Sequence, residues 1–502
     1  MNQTLTRIRA CTVAVSASLA LVTALTGGAT AQTQAAAHAT TVDVPCSVQK
    51  LVRAINTANN SPGADTLRLA RKCTYNLTSP DATNPANGLP AITSKITIDG
   101  NDATITRQAS APDFRILLVD KTGNLTLNKT TISGGRATDC PGAPTPPFPP
   151  GLVCGGGINN QGTLTVNHSR VIDNTATSSV LAEGGGIDSD GTATVNDTDV
   201  SNNTAIYTGT TPGSADGGGI ANDGPLTLTH SRVTDNTVRV TENSNSQAFG
   251  AGHAAFAKTT IDYSTISGNR AEAPGGTAQA GGFATFAKTT IDYSTISGNR
   301  AEAPGGIALG ALSNGSPDRV KVTDTVIRDN TTSAPGGTAL GGGVANNGPM
   351  DMTRTRVIDN TATAAGGTAR GGGIRNGALG QLTLKRSTVL GNTASARGGI
   401  AQGGGIDNPA GGTVTTHQSD ISDNTAETPG GGTAQGGGIY HAAGSTGTGS
   451  TTLKDSTVTG NTAGDGGGIF NASGTVMLKN TVVKRNNPNN CAPLGSVPGC
   501  IG

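Results

Sequence analysis

The sequence predicts an all-β fold, a right-handed parallel β-helix (solenoid) of about 11–12 coils with a short N-terminal capping helix. Two observations predict it. The motif apolar-x-apolar-x-x-[Ser/Thr]-x-[Val/Ile]-x-x-Asn returns about every 30 residues along the chain. In addition, the 21 residues that begin at Phe256 occur again, unchanged, from Phe286. A solenoid accepts such a duplication because every coil has nearly the same neighbours.

Each coil is predicted to contain three short strands. Alternating apolar pairs such as Leu125 and Leu127 indicate the first strand, because alternation places both side chains on one face. The [Ser/Thr]-x-[Val/Ile] segment follows after a two-residue corner as the second strand. The third begins at a Gly-Gly-Gly-[Ile/Val] run, as at Ile374. Helical repeats are excluded, because glycine runs such as "GGTARGGGI" cannot supply a continuous helical stripe.

The asparagine that ends the motif is predicted to form a ladder. Asparagine tolerates the left-handed backbone of a sharp bend, and stacked side-chain amides can bond to the coils above and below. The ladder residues are Asn174, Asn203, Asn236, Asn269, Asn299, Asn330, Asn360, Asn392, Asn424, Asn461 and Asn486. A second, partial column follows the glycines at Asn160, Asn222, Asn346, Asn376, Asn408 and Asn471.

The two ends of the solenoid are predicted to be covered. Residues 47–59 place Val48, Leu51, Val52 and Ile55 on one helical face, with Ser47 as the N-cap, which indicates a helix lying over the first coil. At the other end, a proline-broken loop closed by two cysteines is expected to cover the last coil.

The N-terminus has the pattern of an export signal. Arg7 and Arg9 precede an apolar run, and Ala29-Thr30-Ala31 offers a cleavage site. We therefore expect a secreted or extracellular protein, with attachment to a cell surface left open and no membrane span after signal removal. The predicted organisation is a signal peptide 1–31, a linker 32–45, an N-terminal cap with the first coil 46–114, β-helix repeats 115–490 and a C-terminal disulfide cap 491–502.

Export also predicts disulfides, because the compartment is oxidising. Six cysteines remain after the signal, and they fall as three neighbouring couples. Six cysteines permit 15 connectivities, of which local pairing is the simplest. No histidine stands near a couple at metal-ligand spacing, so we predict no metal there. The couples are Cys46 and Cys73, Cys140 and Cys154, and Cys491 and Cys500.

Composition excludes several classes of partner and core. The 502 residues include 75 glycines, no tryptophan and 2% aromatics, so the core cannot depend on large rings. The net charge of +1 lacks the basic excess of nucleic-acid-binding proteins. We therefore predict no nucleic-acid partner. An extracellular polysaccharide or a cell-surface component is the partner that a long repetitive surface would suit.

Two resemblances accompany this pattern. The N-terminal segment resembles that of bacterial exported β-helix proteins whose signature begins Cys-Ser-Leu-Arg-Glu, although Val48, Gln49 and Lys50 replace its Leu-Arg-Glu. The repeats are similar to the pectate-lyase-like superfamily and to polymorphic outer-membrane proteins, which implies the fold and an adhesin-like role. The matching residues of the N-terminal segment are Cys46, Ser47, Leu51, Arg53, Ala54, Ile55, Ala58, Asn59, Gly63, Asp65, Thr66 and Tyr75.

Catalysis by a polysaccharide lyase or glycoside hydrolase is the alternative function. Hydrolysis requires two carboxylates about 5–10 Å apart, and lysis commonly uses calcium held by acidic residues. Glycines interrupt the column of acidic candidates, which also suits a solvated corner, so we expect no catalytic residue and no cofactor, with calcium as the alternative. The candidates, each just before a ladder asparagine, are Asp173, Asp235, Asp329, Asp359 and Asp423.

The segment between each ladder asparagine and the next triple glycine is interpreted as a bland loop insertion rich in Ala, Gly, Thr and Pro. Tyr207, Phe249, Phe283 and Phe286 lie near this edge and are candidates for stacking on a sugar, although Phe283 also fits a buried position that isoleucine holds in other coils. His168 and His230 share one corner position and are interpreted as exposed corner residues.

Overall fold

The polypeptide winds into a parallel β-solenoid of about 13 turns. The computed structural model describes residues 39–141, 151–241, 245–442 and 449–501, so the predicted signal peptide lies outside the described residues. The all-β prediction is confirmed, with 3% of the chain helical. There are one or two more turns than predicted, because Thr41–Val44, Ala64–Leu69 and Lys95–Arg107 already stack in register before the asparagine motif begins.

A typical turn contains five strands, where the sequence predicted three. The turn that begins at Pro349 consists of Pro349–Thr353, Arg356–Ile358, Thr361–Thr363, Thr368–Arg370 and Ile374–Asn376. The third and fourth strands occupy the alanine-rich segment that we interpreted as a loop insertion, so that interpretation is wrong. Each of the five strands pairs in parallel with its counterparts in the adjacent turns.

The first two strands of each turn belong to one sheet of 27 strands, which we call the wide sheet. Its strands are Thr41–Val44, Ala64–Leu69, Thr74–Leu77, Lys95–Arg107, Asn124–Ser133, Thr163–Asn167, Arg170–Ile172, Thr192–Asn196, Asp199–Ser201, Leu226–Thr229, Arg232–Thr234, Thr259–Asp262, Thr265–Ser267, Thr289–Asp292, Thr295–Ser297, Val320–Thr323, Val326–Arg328, Pro349–Thr353, Arg356–Ile358, Gln381–Lys385, Thr388–Leu390, Thr413–His417, Asp420–Ser422, Ser450–Lys454, Thr457–Thr459, Thr475–Lys479 and Val482–Lys484.

The last strand of each turn belongs to a sheet of 13 strands, which we call the back sheet. Its strands are Leu117–Val119, Ile158–Asn160, Ile187–Ser189, Ile220–Asn222, His253–Ala255, Phe283–Thr285, Leu312–Asn314, Val344–Asn346, Ile374–Asn376, Ile406–Asn408, Ile439–His441, Ile469–Asn471 and Cys491–Ala492. The main core consists of apolar columns from the wide and back sheets, such as Leu382, Leu384 and Ile374, all at most 1% exposed.

The third and fourth strands form two sheets of ten strands each, which we call the first and second flange sheets. The first contains Arg136–Ala137, Thr175–Ser178, Thr204–Tyr207, Thr237–Val240, Arg270–Glu272, Arg300–Glu302, Thr331–Ser333, Thr361–Thr363, Thr393–Ser395 and Thr425–Glu427. The second contains Leu152–Cys154, Leu181–Glu183, Ser214–Asp216, Gln247–Phe249, Thr277–Gln279, Ile307–Leu309, Thr338–Leu340, Thr368–Arg370, Ile400–Gln402 and Thr433–Gln435.

The flange has a core of its own that is built almost entirely from alanine. The middle residues of facing strands, such as Ala362 and Ala369, are fully buried in a cluster separate from the main core. A methyl group is the smallest side chain that still provides apolar contact, so alanine allows the two flange sheets to pack closely. The alanine repeats therefore form a second packed layer and not a loop surface.

The predicted N-terminal helix is confirmed. It spans Val48–Asn59 and buries Leu51 and Ile55 against the first strands. Ser47 is the N-cap by position, but its hydroxyl bonds to the Gln49 side chain and not to a backbone N–H of the helix. The expected capping bond is therefore absent, and the helix depends on burial of its apolar face.

The three predicted disulfides are confirmed. They join Cys46 to Cys73, Cys140 to Cys154, and Cys491 to Cys500. The first lies beside the N-terminal helix. The last spans from the final back-sheet strand, Cys491–Ala492, to the end of the described chain.

Candidate functional site

The ladder asparagines form one buried chain of hydrogen bonds. Asn330 is typical: its Oδ1 accepts from the backbone N–H and the Nδ2 of Asn299, at 2.9 and 3.0 Å. Its own Nδ2 donates to the Ile296 carbonyl at 3.0 Å and to Asn360 Oδ1 at 2.8 Å. The same bonds recur between Asn174, Asn203, Asn236, Asn269, Asn299, Asn330, Asn360, Asn392, Asn424, Asn461 and Asn486.

The left-handed bend is made by the residue before the ladder asparagine, not by the asparagine itself. Asp329 has φ +55° and Asp359 has φ +53°, whereas Gly268 and Gly391 hold the same place at φ +67° and +66°. None of the ladder asparagines has a positive φ. The bend and the hydrogen-bond ladder thus require two consecutive residues with different properties.

All five candidate aspartates occupy this bend position and are exposed. Their φ values lie between +53° and +58°, where aspartate is one of the few side chains tolerated. Their positions therefore follow from the backbone geometry of the bend. The five are Asp173, Asp235, Asp329, Asp359 and Asp423.

Four of the five carboxylates have local neighbours. A Cβ atom on Gly268 or Gly391 would overlap the Asp235 or Asp359 carboxylate, so each carboxylate lies over the glycine of the next turn. Asp423 covers Gly460 in the same way. Asp329 instead pairs with Arg328 of its own turn at 2.5 Å.

The aromatic candidates for sugar stacking divide into buried and half-buried residues. Tyr207 and Phe283 are fully buried, so neither can stack on a sugar, and Phe283 occupies the column that isoleucine holds in other turns. Phe249 and Phe286 are half-buried and pack edge to face with ring centroids 5.6 Å apart. Each of these two rings therefore has an aromatic neighbour already.

A stack of exposed rings at the corner of the wide sheet was missed in the sequence. His230, Tyr263 and Tyr293 hold the same corner position in consecutive turns and stack with centroids 5.2 and 4.9 Å apart. Both tyrosines are 52% exposed. Tyr263 therefore has an aromatic ring against each of its faces. The corner position shared by His168 and His230, which are exposed as predicted, was the available signal.

Buried charged side chains and aromatic rings lie along the contact line between the flange and the back sheet. We call it the seam. In most turns a short glycine-rich run, usually Gly-Gly-Gly-Ile, lies between a second-flange strand and a back-sheet strand. The residue before the run ends the second-flange strand, and the residue after it is the middle residue of the back-sheet strand. Arg370 and Arg375 flank one such run, and Gln402 and Asp407 flank the next. Sequence reasoning missed the seam because it treated the glycine run only as the start of a strand.

The C-terminal part of the seam combines charge with aromatic rings. The buried Asp407 carboxylate lies 3.2 Å from Arg375 Nε. Burial raises the pKa of Asp407, although Arg375 and Arg370 oppose this shift. Burial likewise lowers the pKa of Arg375, which Asp407 opposes. Tyr440 stacks on Phe470 with centroids 5.8 Å apart, so this part of the seam carries two guanidinium groups beside an aromatic pair.

The N-terminal part of the seam is acidic. Glu183 and Asp188 flank one glycine run, and both are at most 3% exposed. Burial is the largest cause that raises the pKa of Asp188 well above its usual range, followed by the nearby carboxylates of Asp190 and Glu183. The buried Arg115 opposes this shift. Asp188 therefore holds its proton at pH values where an ordinary aspartate is charged.

Two histidines, His253 and His441, are buried in strands of the back sheet. His253 occupies the isoleucine column of the back sheet, and burial lowers its pKa to about 3. Its Nε2 lies 2.7 Å from Asn222 Oδ1. Burial also lowers the pKa of His441, whose Nδ1 lies 3.2 Å from Asn408 Nδ2. Both histidines are therefore neutral and contact asparagines of the second column, in which His441 itself holds a position and His253 does not.

One group among the described residues has the composition and spacing of a metal site. It consists of Cys140, Cys154 and Asp188, whose ligand atoms lie within 4.8 Å of one another. The two cysteines are joined in a disulfide, so they offer no thiolate to a metal. In the part of the chain that the structure describes, no helix has both the length and the apolarity needed to cross a bilayer.

No family model, curated protein or solved structure matches this chain.

Proposed function

We propose that this protein acts outside the cytoplasm as a non-catalytic binding or structural protein, adhesin-like in character, whose partner is an extracellular polysaccharide or a cell-surface component. The resemblance to exported pectate-lyase-like β-helix proteins supports this location and the fold. The three disulfides are compatible with an oxidising compartment.

The observation that carries the proposal is that the acidic candidates share their position with glycine. A catalytic or calcium site requires carboxylates at defined separations. Asp235 and Asp359 instead stand where Gly268 and Gly391 stand in following turns, with the same left-handed backbone. The shared feature of this position is therefore its left-handed backbone and not a carboxylate.

The half-buried stretch of the seam is the surface we propose for the partner. Gln279, Leu309, Leu340 and Arg370 end consecutive second-flange strands and are half-buried. Consecutive turns present them at a spacing of about 4.8 Å, so a chain-like partner can make many weak contacts along the row. Arg370 adds a cation at one end of the row.

Binding and catalysis can be separated with two sets of variants. Asp→Asn at all five bend positions removes the carboxylates and keeps a residue that tolerates the left-handed backbone. We expect wild type and this variant to co-sediment equally with insoluble polysaccharide, and neither to release soluble sugar from polygalacturonate or a neutral glucan. Sugar release by wild type that the variant loses would establish the lyase or hydrolase alternative.

A single charge change tests the seam. We expect Arg370→Gln to weaken co-sedimentation, whereas Arg397→Gln, a matched change at an exposed position of the flange, leaves it unchanged. Equal binding by both variants would move the contact surface away from the seam.

A further inference from the structure

A carboxyl group and a disulfide bond share one buried compartment at the acidic part of the seam. Cys154 ends a second-flange strand and is fully buried. The Asn159 Nδ2 group donates to Cys154 Sγ at 3.2 Å and to Asp188 Oδ2 at 2.9 Å. An Asp188 oxygen also lies within 4.8 Å of both sulfurs of the Cys140–Cys154 bond. One asparagine amide thus connects the carboxyl group to the inner sulfur.

The two sulfurs differ in access. Cys140 is half-buried, whereas Cys154 is fully buried. Cys140 is therefore the side of the bond that a thiolate from solution would attack, with Cys154 as the leaving group. A thiolate left in a buried, low-dielectric place is costly unless it receives a proton.

Arg115 compensates for a charge on Asp188 once its proton has left. Its guanidinium is fully buried and donates from Nη2 to the Cys154 carbonyl at 3.0 Å. Nη2 also pairs with Asp139 Oδ1 at 2.7 Å. The charged groups around Asp188 are Asp190, Glu183 and Asp223, which are acidic, and Arg115, which is basic and carries Asp139 as its own partner.

We propose that the Cys140–Cys154 disulfide is a thiol-exchange site, at which a small thiol attacks Cys140 and Asp188 protonates the departing Cys154 sulfur. The new S–S bond forms between the thiol and Cys140 Sγ as the Cys140–Cys154 bond breaks. The electron pair of the broken bond stays on Cys154 Sγ, which takes the proton from Asp188. A second thiol then releases Cys140 as a free thiol and leaves as the oxidised dimer of the small thiol.

The other two disulfides of the same chain are internal references. Folded wild-type protein is exposed to reduced glutathione, free thiols are blocked with an alkylating reagent at intervals, and each cysteine is quantified by peptide mass spectrometry. We expect Cys140–Cys154 to open faster than Cys46–Cys73 and Cys491–Cys500, with glutathione attached to Cys140. Attachment mainly to Cys154, or opening no faster than the references, would overturn the proposal.

Asp188→Asn tests the proton. Asparagine keeps the size of the side chain and a polar partner for Asn159 but cannot supply an acid proton. We expect the rate constant per glutathione thiolate to fall about tenfold or more, since general acids commonly contribute roughly 10²–10⁴. Asp407→Asn, which removes a buried carboxyl group from the C-terminal part of the seam, is the matched control and should leave the rate unchanged.

The pH profile of the wild type gives a second readout that requires no variant. While Asp188 is protonated the rate constant per thiolate is high, and it falls as the pH rises through the raised pKa of this group. In Asp188→Asn the constant should be low and independent of pH over the same interval. Superimposable wild-type and variant profiles would exclude Asp188 as the proton donor and leave it with a structural role.

Discussion

Replacement of one ladder asparagine by alanine is expected to cost a large part of the local stability. Asn330→Ala removes four side-chain hydrogen bonds, to Asn299 N, Asn299 Nδ2, the Ile296 carbonyl and Asn360 Oδ1. At about 1 kcal/mol for each net bond the loss is about 4 kcal/mol. Two partners retain another bond, since Asn299 Nδ2 still donates to Ile266 and Asn360 Oδ1 still accepts from the Asn330 N–H. We therefore expect about 3 kcal/mol.

The neighbouring bend residue provides the control. Asp329→Gly keeps the left-handed backbone and removes an exposed carboxylate paired with Arg328, so the change in the free energy of unfolding should stay within about 1 kcal/mol. Urea unfolding followed by circular dichroism measures both variants, and hydrogen exchange of the Asn299 amide reports the local effect. A loss in Asn330→Ala no larger than in the control would refute the ladder as a source of stability.

Three further predictions concern the packed layers. His253 takes up a proton only near its lowered pKa of about 3, whereas its unfolded form protonates near pH 6.5, so its contribution to stability is fully present above pH 6.5 and is lost as the pH falls. His253→Phe should therefore reduce the difference in urea-unfolding free energy between pH 7 and pH 4 by about 3 kcal/mol, and His168→Phe at an exposed corner should not. Ala369→Leu should cost about 1–3 kcal/mol in the same assay by overpacking the flange core, whereas Thr368→Leu, which points outward, should cost little. Gly372→Ala should lower the thermal midpoint by several degrees, because a Cβ there would overlap backbone atoms of the next turn.

The parts of the fold that could be predicted from sequence are those that depend on residue types with few possible structural roles. The spacing of Asn330 and Asn360 predicts a turn of the solenoid, because a buried amide repeated at each turn has few alternatives to stacking. The cysteine couples predicted the disulfides for the same reason. Apolar alternation at Leu382 and Leu384 predicted the wide sheet.

The flange was missed because alanine is compatible with many structural roles. In "TAT" and "TAR" around Ala362 and Ala369, only the alternation of threonine and alanine distinguishes a strand from a loop. Alanine carries little hydrophobic signal, and its burial becomes favourable only when a second sheet of alanines faces it. That information lies in the stacking of turns, not in any one turn.

The seam was missed for a different reason. Asp188 and Asp407 read as ordinary polar residues in a strand, since nothing in their own turn shows that the flange folds back over them. Burial raises the pKa values of both carboxylates, and their charged neighbours include Glu183 and Arg370 of the second flange sheet. When the flange segments are interpreted as loops, both carboxylates are expected at the surface. The acidic bend residues then appear to be the better candidates for a catalytic or calcium site.

The duplicated peptide shows what such a turn must satisfy to be copied. Duplication places every side chain beside its own copy in register, so Arg270 faces Arg300 and Glu272 faces Glu302 on the first flange sheet. Like charges at this spacing repel, yet each turn carries both signs, and Arg270 bonds to Glu302 of the next turn at 2.5 Å. A turn whose exposed charges were all of one sign would lack this diagonal pairing. Extension of the solenoid by copying a turn therefore depends on two features of that turn, its balance of charges and its ladder asparagine.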